Sequence, residues 1–118
     1  MTTNNVQRVL VTAGAGGIGR AIAMAFVSAG ARVHVCDIDA SALDVLRAQQ
    51  PGISTSVCDI ADRVAVQAMV QQATDTLGGL DVLVNNAGIA GPAASVEDIL
   101  SSVSDSIQQT LQIITKKK

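Results

Sequence analysis

The stretch that decides the fold is Thr12-Ala13-Gly14-Ala15-Gly16-Gly17-Ile18-Gly19. It follows an apolar run at residues 9–11, which predicts a buried strand, and it opens a segment, residues 17–29, whose apolar residues recur at helical spacing. Gly14, Gly16 and Gly19 fit the spacing G-x-G-x-x-G. Glycines at these positions let the backbone turn tightly and approach a diphosphate, which then lies on the N–H groups of the helix N-terminus. A turn that only allows close packing of helix on strand is the alternative.

Strand and helix patterns alternate along the rest of the chain. Further strands are predicted at 32–36, 53–57 and 81–84, and helices at 39–48 and 62–77. Ser95 and Asp98 form a capping signature for a last helix. Its apolar stripe comprises Val96, Ile99, Val103, Ile107, Leu111 and Ile114. This alternation predicts an α/β fold: a Rossmann-like parallel sheet of about four strands with helices on both faces, an incomplete doubly wound fold.

Composition and charge exclude several classes of protein. Apolar residues make up 48% of the 118 residues and charged residues 15%, which is incompatible with disorder. The longest apolar run is far shorter than the roughly 20 residues of a membrane-spanning helix, and the N-terminal sequence lacks the pattern of a signal peptide. We therefore expect no membrane association and a cytoplasmic location. All three lysines lie at 116–118, and the five arginines face ten acidic residues. An acidic body argues against a nucleic-acid surface.

The two cysteines, Cys36 and Cys58, each precede an aspartate at the end of a predicted strand. Without an export signal they are expected to be reduced thiols that pack as small hydrophobic residues. His34 is the only other soft ligand, so no metal site is predicted.

Polar residues follow every predicted strand. Asp37 stands at the end of the second strand, 18 positions after Gly19, where an acid accepts hydrogen bonds from ribose hydroxyls and repels a 2′-phosphate. This predicts NAD rather than NADP, whereas Asp39 is better explained as a helix N-cap. Asp59-Ile60 and Asn85-Asn86-Ala87-Gly88 follow the third and fourth strands. Ligands of open α/β sheets bind at these strand ends, although each motif alone could be turn chemistry.

The sequence resembles the N-terminal part of a classical short-chain dehydrogenase/reductase. The motifs that carry the resemblance are Val11-Thr12 before the glycines, Gly17-Ile18-Gly19, Asp59-Ile60 and residues 83–89, Leu-Val-Asn-Asn-Ala-Gly-Ile. One departure is Ala13, which replaces the first glycine of the family's T-G-x-x-x-G-x-G. The resemblance implies that residues 14–18 wrap the diphosphate, Asp37 binds the ribose, Asp59 and Ile60 flank the adenine, and Asn86, Ala87 and Gly88 line the path to the nicotinamide. It also implies that Asn85 and Asn86 help to stabilise the sheet.

The resemblance covers roughly residues 6–113. It implies an NAD-binding Rossmann-type half at 1–113 and a tail outside the family at 114–118. The family's catalysis resembles acid–base chemistry by a Tyr with a neighbouring Lys, assisted by Ser and Asn. This chain has no Tyr and no internal Lys, so no catalytic residue is assigned and independent catalysis is not expected. A non-catalytic interaction module and a fragment without function of its own remain alternatives. The sequence does not identify the substrate.

The same sequence predicts self-association. In a complete fold of this type the fourth strand is flanked by a fifth strand. Only four strands are predicted in this sequence, so residues 82–84 are expected to form an exposed edge. The apolar stripe of the last helix is expected to need a partner as well. We therefore expect a dimer or a larger assembly through the last helix or the fourth strand.

Overall fold

The computed structural model describes residues 6–86 and the backbone of residues 112–115. The chain forms β1 (Arg8–Thr12), α1 (Gly17–Ser28), β2 (Arg32–Asp37), α2 (Ala40–Gln49), β3 (Ser54–Val57), α3 (Arg63–Leu77), β4 (Val82–Asn85) and β5 (Gln112–Thr115). The predicted elements between residues 8 and 85 are therefore confirmed to within a few residues. Ala87, Gly88 and most of the predicted last helix lie outside the described residues.

The five strands within the described residues form one parallel sheet in the order β3-β2-β1-β4-β5. β1 lies centrally, with Leu10 opposite His34 of β2 on one side and Leu83 of β4 on the other. The chain moves outward from β1 to β3, then returns to the other side of β1 for β4. This reversal leaves a crevice at the carboxyl ends of β1 and β4, which is where open α/β sheets bind ligands. The parallel, Rossmann-like α/β architecture is as predicted.

Two apolar clusters cover the two faces of the sheet. Alternate strand residues point to opposite faces, so Leu10, Cys36 and Leu83 pack against α3. On the other face, Val9, Val11, Val33 and Val35 pack with residues of α1 and α2. The core strands are buried on both faces, which accounts for their uninterrupted aliphatic sequences.

The ends of α2 and α3 are held by specific contacts. Asp39 caps α2 by accepting from Ala42 N at 3.1 Å, and Asp62 caps α3 by accepting from Ala65 N at 3.1 Å. The N-cap role predicted for Asp39 is confirmed. Gly78 ends α3 in a left-handed conformation with φ 83°, which glycine adopts at little cost.

Two arginines join the amino ends of the strands to the end of α3. Arg8 donates to both carboxylate oxygens of Asp81, each at 2.9 Å, and to Gly78 O at 2.7 Å. Hydrogen bonds from the Arg8 side chain lower the pKa of Asp81. Arg32 donates to the carbonyls of Leu77 and Thr76. These contacts lie at the opposite end of the sheet from the crevice.

The structure corrects the sequence analysis at residues 112–115, the end of the predicted last helix. These residues form β5, and Ile114 pairs with Val84 of β4. The β-branched pair Ile113-Ile114 suits a strand, and pairing with β4 outweighs the helical spacing of the apolar residues. β4 therefore has β1 on one side and β5 on the other. The expectation that β4 is an exposed edge was wrong.

Candidate functional site

The carboxyl ends of four strands bring the predicted polar residues to one edge of the sheet. Thr12, Asp37 and Asn85 are the last residues of β1, β2 and β4. Cys58 continues β3, because its N–H donates to Asp37 O at 3.0 Å, and Asp59 follows it. The sequence predicted this juxtaposition from the polar residues that follow each strand of a parallel sheet, and the structure shows it.

The glycine turn between β1 and α1 contains glycines of two kinds. A Cβ on Gly14 would lie 2.8 Å from Val35 Cγ1, and one on Gly19 would lie 2.2 Å from Ala13 O. Close packing of the turn therefore requires glycine at these two positions. Gly17 has φ 57°, a conformation that favours glycine. Gly16 is extended, and a Cβ there would meet nothing within 4 Å. Gly16 is therefore free of a packing constraint.

The N-terminus of α1 differs from those of α2 and α3. Gly16 provides no side-chain cap, whereas Asp39 and Asp62 cap the other two helices. Gly16, Gly17 and Ile18 are exposed, Ile18 by 54%. The first N–H groups of a helix have no partner within the helix and carry its positive dipole end. This end of α1 can therefore bind an anion.

Asp37 lies beside the glycine turn, partly buried at the end of β2. Its Oδ2 accepts from Ala15 N at 3.1 Å, and its Oδ1 accepts from Asp39 N at 3.0 Å. A carboxylate has about four acceptor positions, so two remain for hydroxyl groups of a ligand. The structure thus brings Asp37 and the turn together, as the spacing predicted.

Asp59 and Ile60 lie at the end of β3, next to β2. Asp59 is exposed, and its Oδ1 accepts from Ala61 N at 3.0 Å, which forms a local turn. Ile60 is partly buried and packs against the apolar cluster under α3. Both residues face the same edge of the sheet as Asp37, one strand further out.

Asn86 fixes the shape of the crevice between β1 and β4. Its backbone N–H donates to Thr12 Oγ1 at 2.9 Å, and its Nδ2 donates to Ala13 O at 3.2 Å. Thr12 Oγ1 also lies 3.4 Å from Val84 O and 3.3 Å from Asn85 Oδ1. These contacts tie the end of β4 to the start of the glycine turn, in keeping with the sheet-stabilising role that the resemblance implies for both asparagines.

The sequence analysis missed the importance of Ala13 and Thr12. Ala13 has φ 53°, a left-handed conformation that alanine rarely adopts. The replacement of the family glycine at this position was the available signal, because glycine would enter that conformation freely. Thr12 belongs to a family motif, but no sequence pattern predicted the contacts of its hydroxyl. These contacts depend on β4, which is 72 residues or more away in sequence.

Cys36 and Cys58 are free and buried below the site. Their hydrogen bond, together with burial, raises the pKa of Cys36 well above its ordinary value, and the same hydrogen bond lowers the pKa of Cys58. Both side chains belong to the apolar cluster under α3, as expected for packed thiols. Within the residues that the structure describes, no group of three or more His, Cys, Asp or Glu could hold a metal ion. None of the helices found there is long and apolar enough to cross a membrane.

A parallel sheet with a glycine turn, an uncapped α1 and an acid after β2 is the arrangement typical of the Rossmann-like class of α/β folds. Comparison with known proteins identifies the particular family. The profile of the short chain dehydrogenase family matches residues 7–115. The chain belongs to the short chain dehydrogenase family.

Individual relatives agree with this assignment. The chain is 39% identical over 102 residues to the short chain dehydrogenase/reductase dpchG of Colletotrichum higginsianum, covering 83% of this chain and 38% of that relative. It is 40% identical over 92 residues to D-threitol dehydrogenase of Mycolicibacterium smegmatis, covering 75% of this chain and 35% of that enzyme. The crystal structure of a short chain dehydrogenase from Burkholderia cenocepacia J2315 in complex with NADP superposes with a TM-score of 0.81 at 29% identity, covering 95% of this chain and 56% of that one. The chain thus spans little more than a third of the length of these two curated relatives.

Proposed function

We propose that this chain is the NAD(H)-binding portion of a short-chain dehydrogenase/reductase-type oxidoreductase. The single observation that carries the proposal is the exposed, uncapped N-terminus of α1 beside the Asp37 carboxylate. The diphosphate would lie on the turn formed by residues 14–19, and the ribose hydroxyls would bind Asp37. Asp59 and Ile60 would flank the adenine, and Asn86, Ala87 and Gly88 would line the path to the nicotinamide, although Ala87 and Gly88 lie outside the described residues.

The charges around Asp37 support NAD over NADP. A carboxylate at this position repels a 2′-phosphate. Arg32, on the same strand, lies at its other end and is engaged with the carbonyls of α3. The NADP in the Burkholderia cenocepacia complex belongs to that protein. In this chain, Asp37 is the residue expected to favour NAD over NADP.

Calorimetric titration with NAD, NADH and NADP tests the proposal. We expect weak binding with NAD preferred, because ordering the turn and the ligand consumes part of the binding free energy. The Asp37→Ala chain should lose the preference, whereas the matched Asp44→Ala chain, which loses an equal charge from the exposed face of α2, should keep it. Equal binding of NAD and NADP by the unaltered chain, or an unchanged preference in Asp37→Ala, would contradict the assignment.

We further propose that these 118 residues do not catalyse oxidation or reduction by themselves. The sequence contains no Tyr, and its lysines are confined to positions 116–118. General acid–base assistance is typically worth about 10²–10⁴-fold in rate. Incubation of the purified chain with NAD or NADH and a panel of alcohols and ketones should produce no change in nicotinamide absorbance above a blank. Turnover that survives repeated purification and scales with the concentration of the chain would disprove this.

A further inference from the structure

Two adjacent residues of β2 hold the glycine turn. The carbonyl of Cys36 accepts from Gly14 N at 3.3 Å, and the Asp37 carboxylate accepts from Ala15 N at 3.1 Å. The first contact involves only the backbone and is independent of the side chain. The second depends on a carboxylate that the proposed function assigns to the ribose.

Asp37 also connects the turn to the start of α2. Its second oxygen accepts from Asp39 N at 3.0 Å, and the Asp39 carboxylate in turn caps α2 through Ala42 N. One side chain therefore fixes two backbone segments, one before α1 and one before α2. Since Ala15 is 6% exposed, water has little access to its N–H if the carboxylate is removed.

We propose that Asp37 is a positioning residue for the glycine turn, so that selection of the ribose and binding of the diphosphate depend on one side chain. This inference rests on the proposed dinucleotide site, which it deepens. Truncation of Asp37 releases the Ala15 N–H and loosens the turn on which the diphosphate lies. In Asp37→Asn the one remaining acceptor oxygen can accept from Ala15 N, which holds the turn, while the contact with Asp39 N is lost. The neutral side chain no longer repels a 2′-phosphate. Asp37→Asn therefore binds NADP more tightly than Asp37→Ala.

The matched pair Asp37→Asn and Asp37→Ala separates the contact from the charge, because both variants lose the same negative charge. Hydrogen exchange of the Ala15 amide is measured first, on the full chain without cofactor. We expect exchange about tenfold faster in Asp37→Ala than in the unaltered chain, with most of the protection restored in Asp37→Asn. Asp44→Ala should leave the Ala15 exchange rate unchanged.

Titration with inorganic diphosphate then tests the consequence for binding. This probe has no ribose, so a role of Asp37 limited to the ribose predicts equal affinity in the two variants. We expect Asp37→Ala to bind diphosphate roughly threefold to tenfold more weakly than Asp37→Asn, because the turn must be ordered on binding. NADP should follow the same order.

A measurement on the unaltered chain covers the case in which a variant does not fold. In the unaltered chain, NMR should detect a scalar coupling across the hydrogen bond between the Ala15 amide nitrogen and the Asp37 side-chain carboxyl carbon. Equal Ala15 exchange in all the chains, equal diphosphate affinity of the two variants, or no such coupling in the unaltered chain would overturn the inference. If no nucleotide or diphosphate binds, the proposed function fails, and the exchange and coupling results still decide whether Asp37 holds the turn.

Discussion

His34 is fully buried in β2, and both of its ring nitrogens have partners. Nδ1 lies 2.6 Å from Ser54 Oγ and Nε2 lies 2.7 Å from Ser56 Oγ. Ser56 donates its hydroxyl hydrogen to Gln72 Oε1 at 2.8 Å, so it accepts from His34. The proton of the neutral ring is therefore on Nε2, and Nδ1 accepts from Ser54. Burial lowers the pKa of His34 from 6.5 to about 4.

This shifted pKa predicts that acid destabilises the fold. Between pH 6.5 and about 4 the unfolded chain takes up a proton at His34 that the folded chain does not. Stability contributed by the neutral ring is therefore complete above pH 6.5 and decreases as pH falls toward 4. The free energy of unfolding should drop by about 2 kcal/mol between pH 7 and pH 5.

Urea denaturation at a series of pH values measures this change. The His34→Gln chain has no group that titrates at this position, so its stability should depend much less on pH over the same interval, whatever its stability at pH 7. A His34 ring resonance that titrates near 6.5 in the folded chain would contradict the interpretation.

At the level of the elements, packing of α1 on the end of β1 depends on one glycine. Gly19 lies in the first turn of α1, where a Cβ would be 2.2 Å from Ala13 O and 2.5 Å from Asn86 Nδ2. The same carbonyl accepts a hydrogen bond from Asn86. The helix, the glycine turn and the end of β4 therefore meet at Gly19.

Gly19→Ala and Gly16→Ala form a matched pair for testing this packing. Gly19→Ala should lower the free energy of unfolding by about 1–3 kcal/mol, because backbone and side-chain groups must move away from the methyl group. Gly16→Ala should lower it by less than about 1 kcal/mol, since Gly16 is extended and has space around its Cα, which leaves only the preference of a helix N-cap for glycine over alanine. Thermal and urea denaturation measure both. Equal losses in the two variants would show that close packing is not what Gly19 provides.

At the level of the whole molecule, the five-stranded order places β3 and β5 at the two ends of the described sheet. β5 has four residues, and β4 is its paired neighbour. β4 lies between two strands and cannot pair with another copy. Within the described sheet, β5 is the strand on that side that is expected to take part in self-association. An open sheet edge can pair with another chain, and a chain of this size buries a modest fraction of its surface.

We therefore expect the chain to form a dimer or a larger assembly in solution. Sedimentation velocity over a range of protein concentrations should show the average mass rising with concentration. Added salt should favour association, because it screens repulsion between the lysines at 116–118 of neighbouring copies. A monomer of constant mass at every protein and salt concentration would contradict this expectation.

The sequence by itself determined the succession of elements from β1 to β4 and the parallel α/β class. Local signals were sufficient there, because aliphatic runs, helical spacing and the caps Asp39 and Asp62 act over a few residues. It also placed Asp37 and the glycine turn at one site, since parallel strands end at a common edge. Tertiary structure decided what depends on distant pairing. Residues 112–115 became β5 only because β4 offers a partner, although their spacing also suits a helix. The left-handed Ala13 and the contacts of Thr12 and Asn86 likewise arise where β1 meets β4. No local pattern in the sequence predicts that contact, because the residues that make it are more than 70 positions apart.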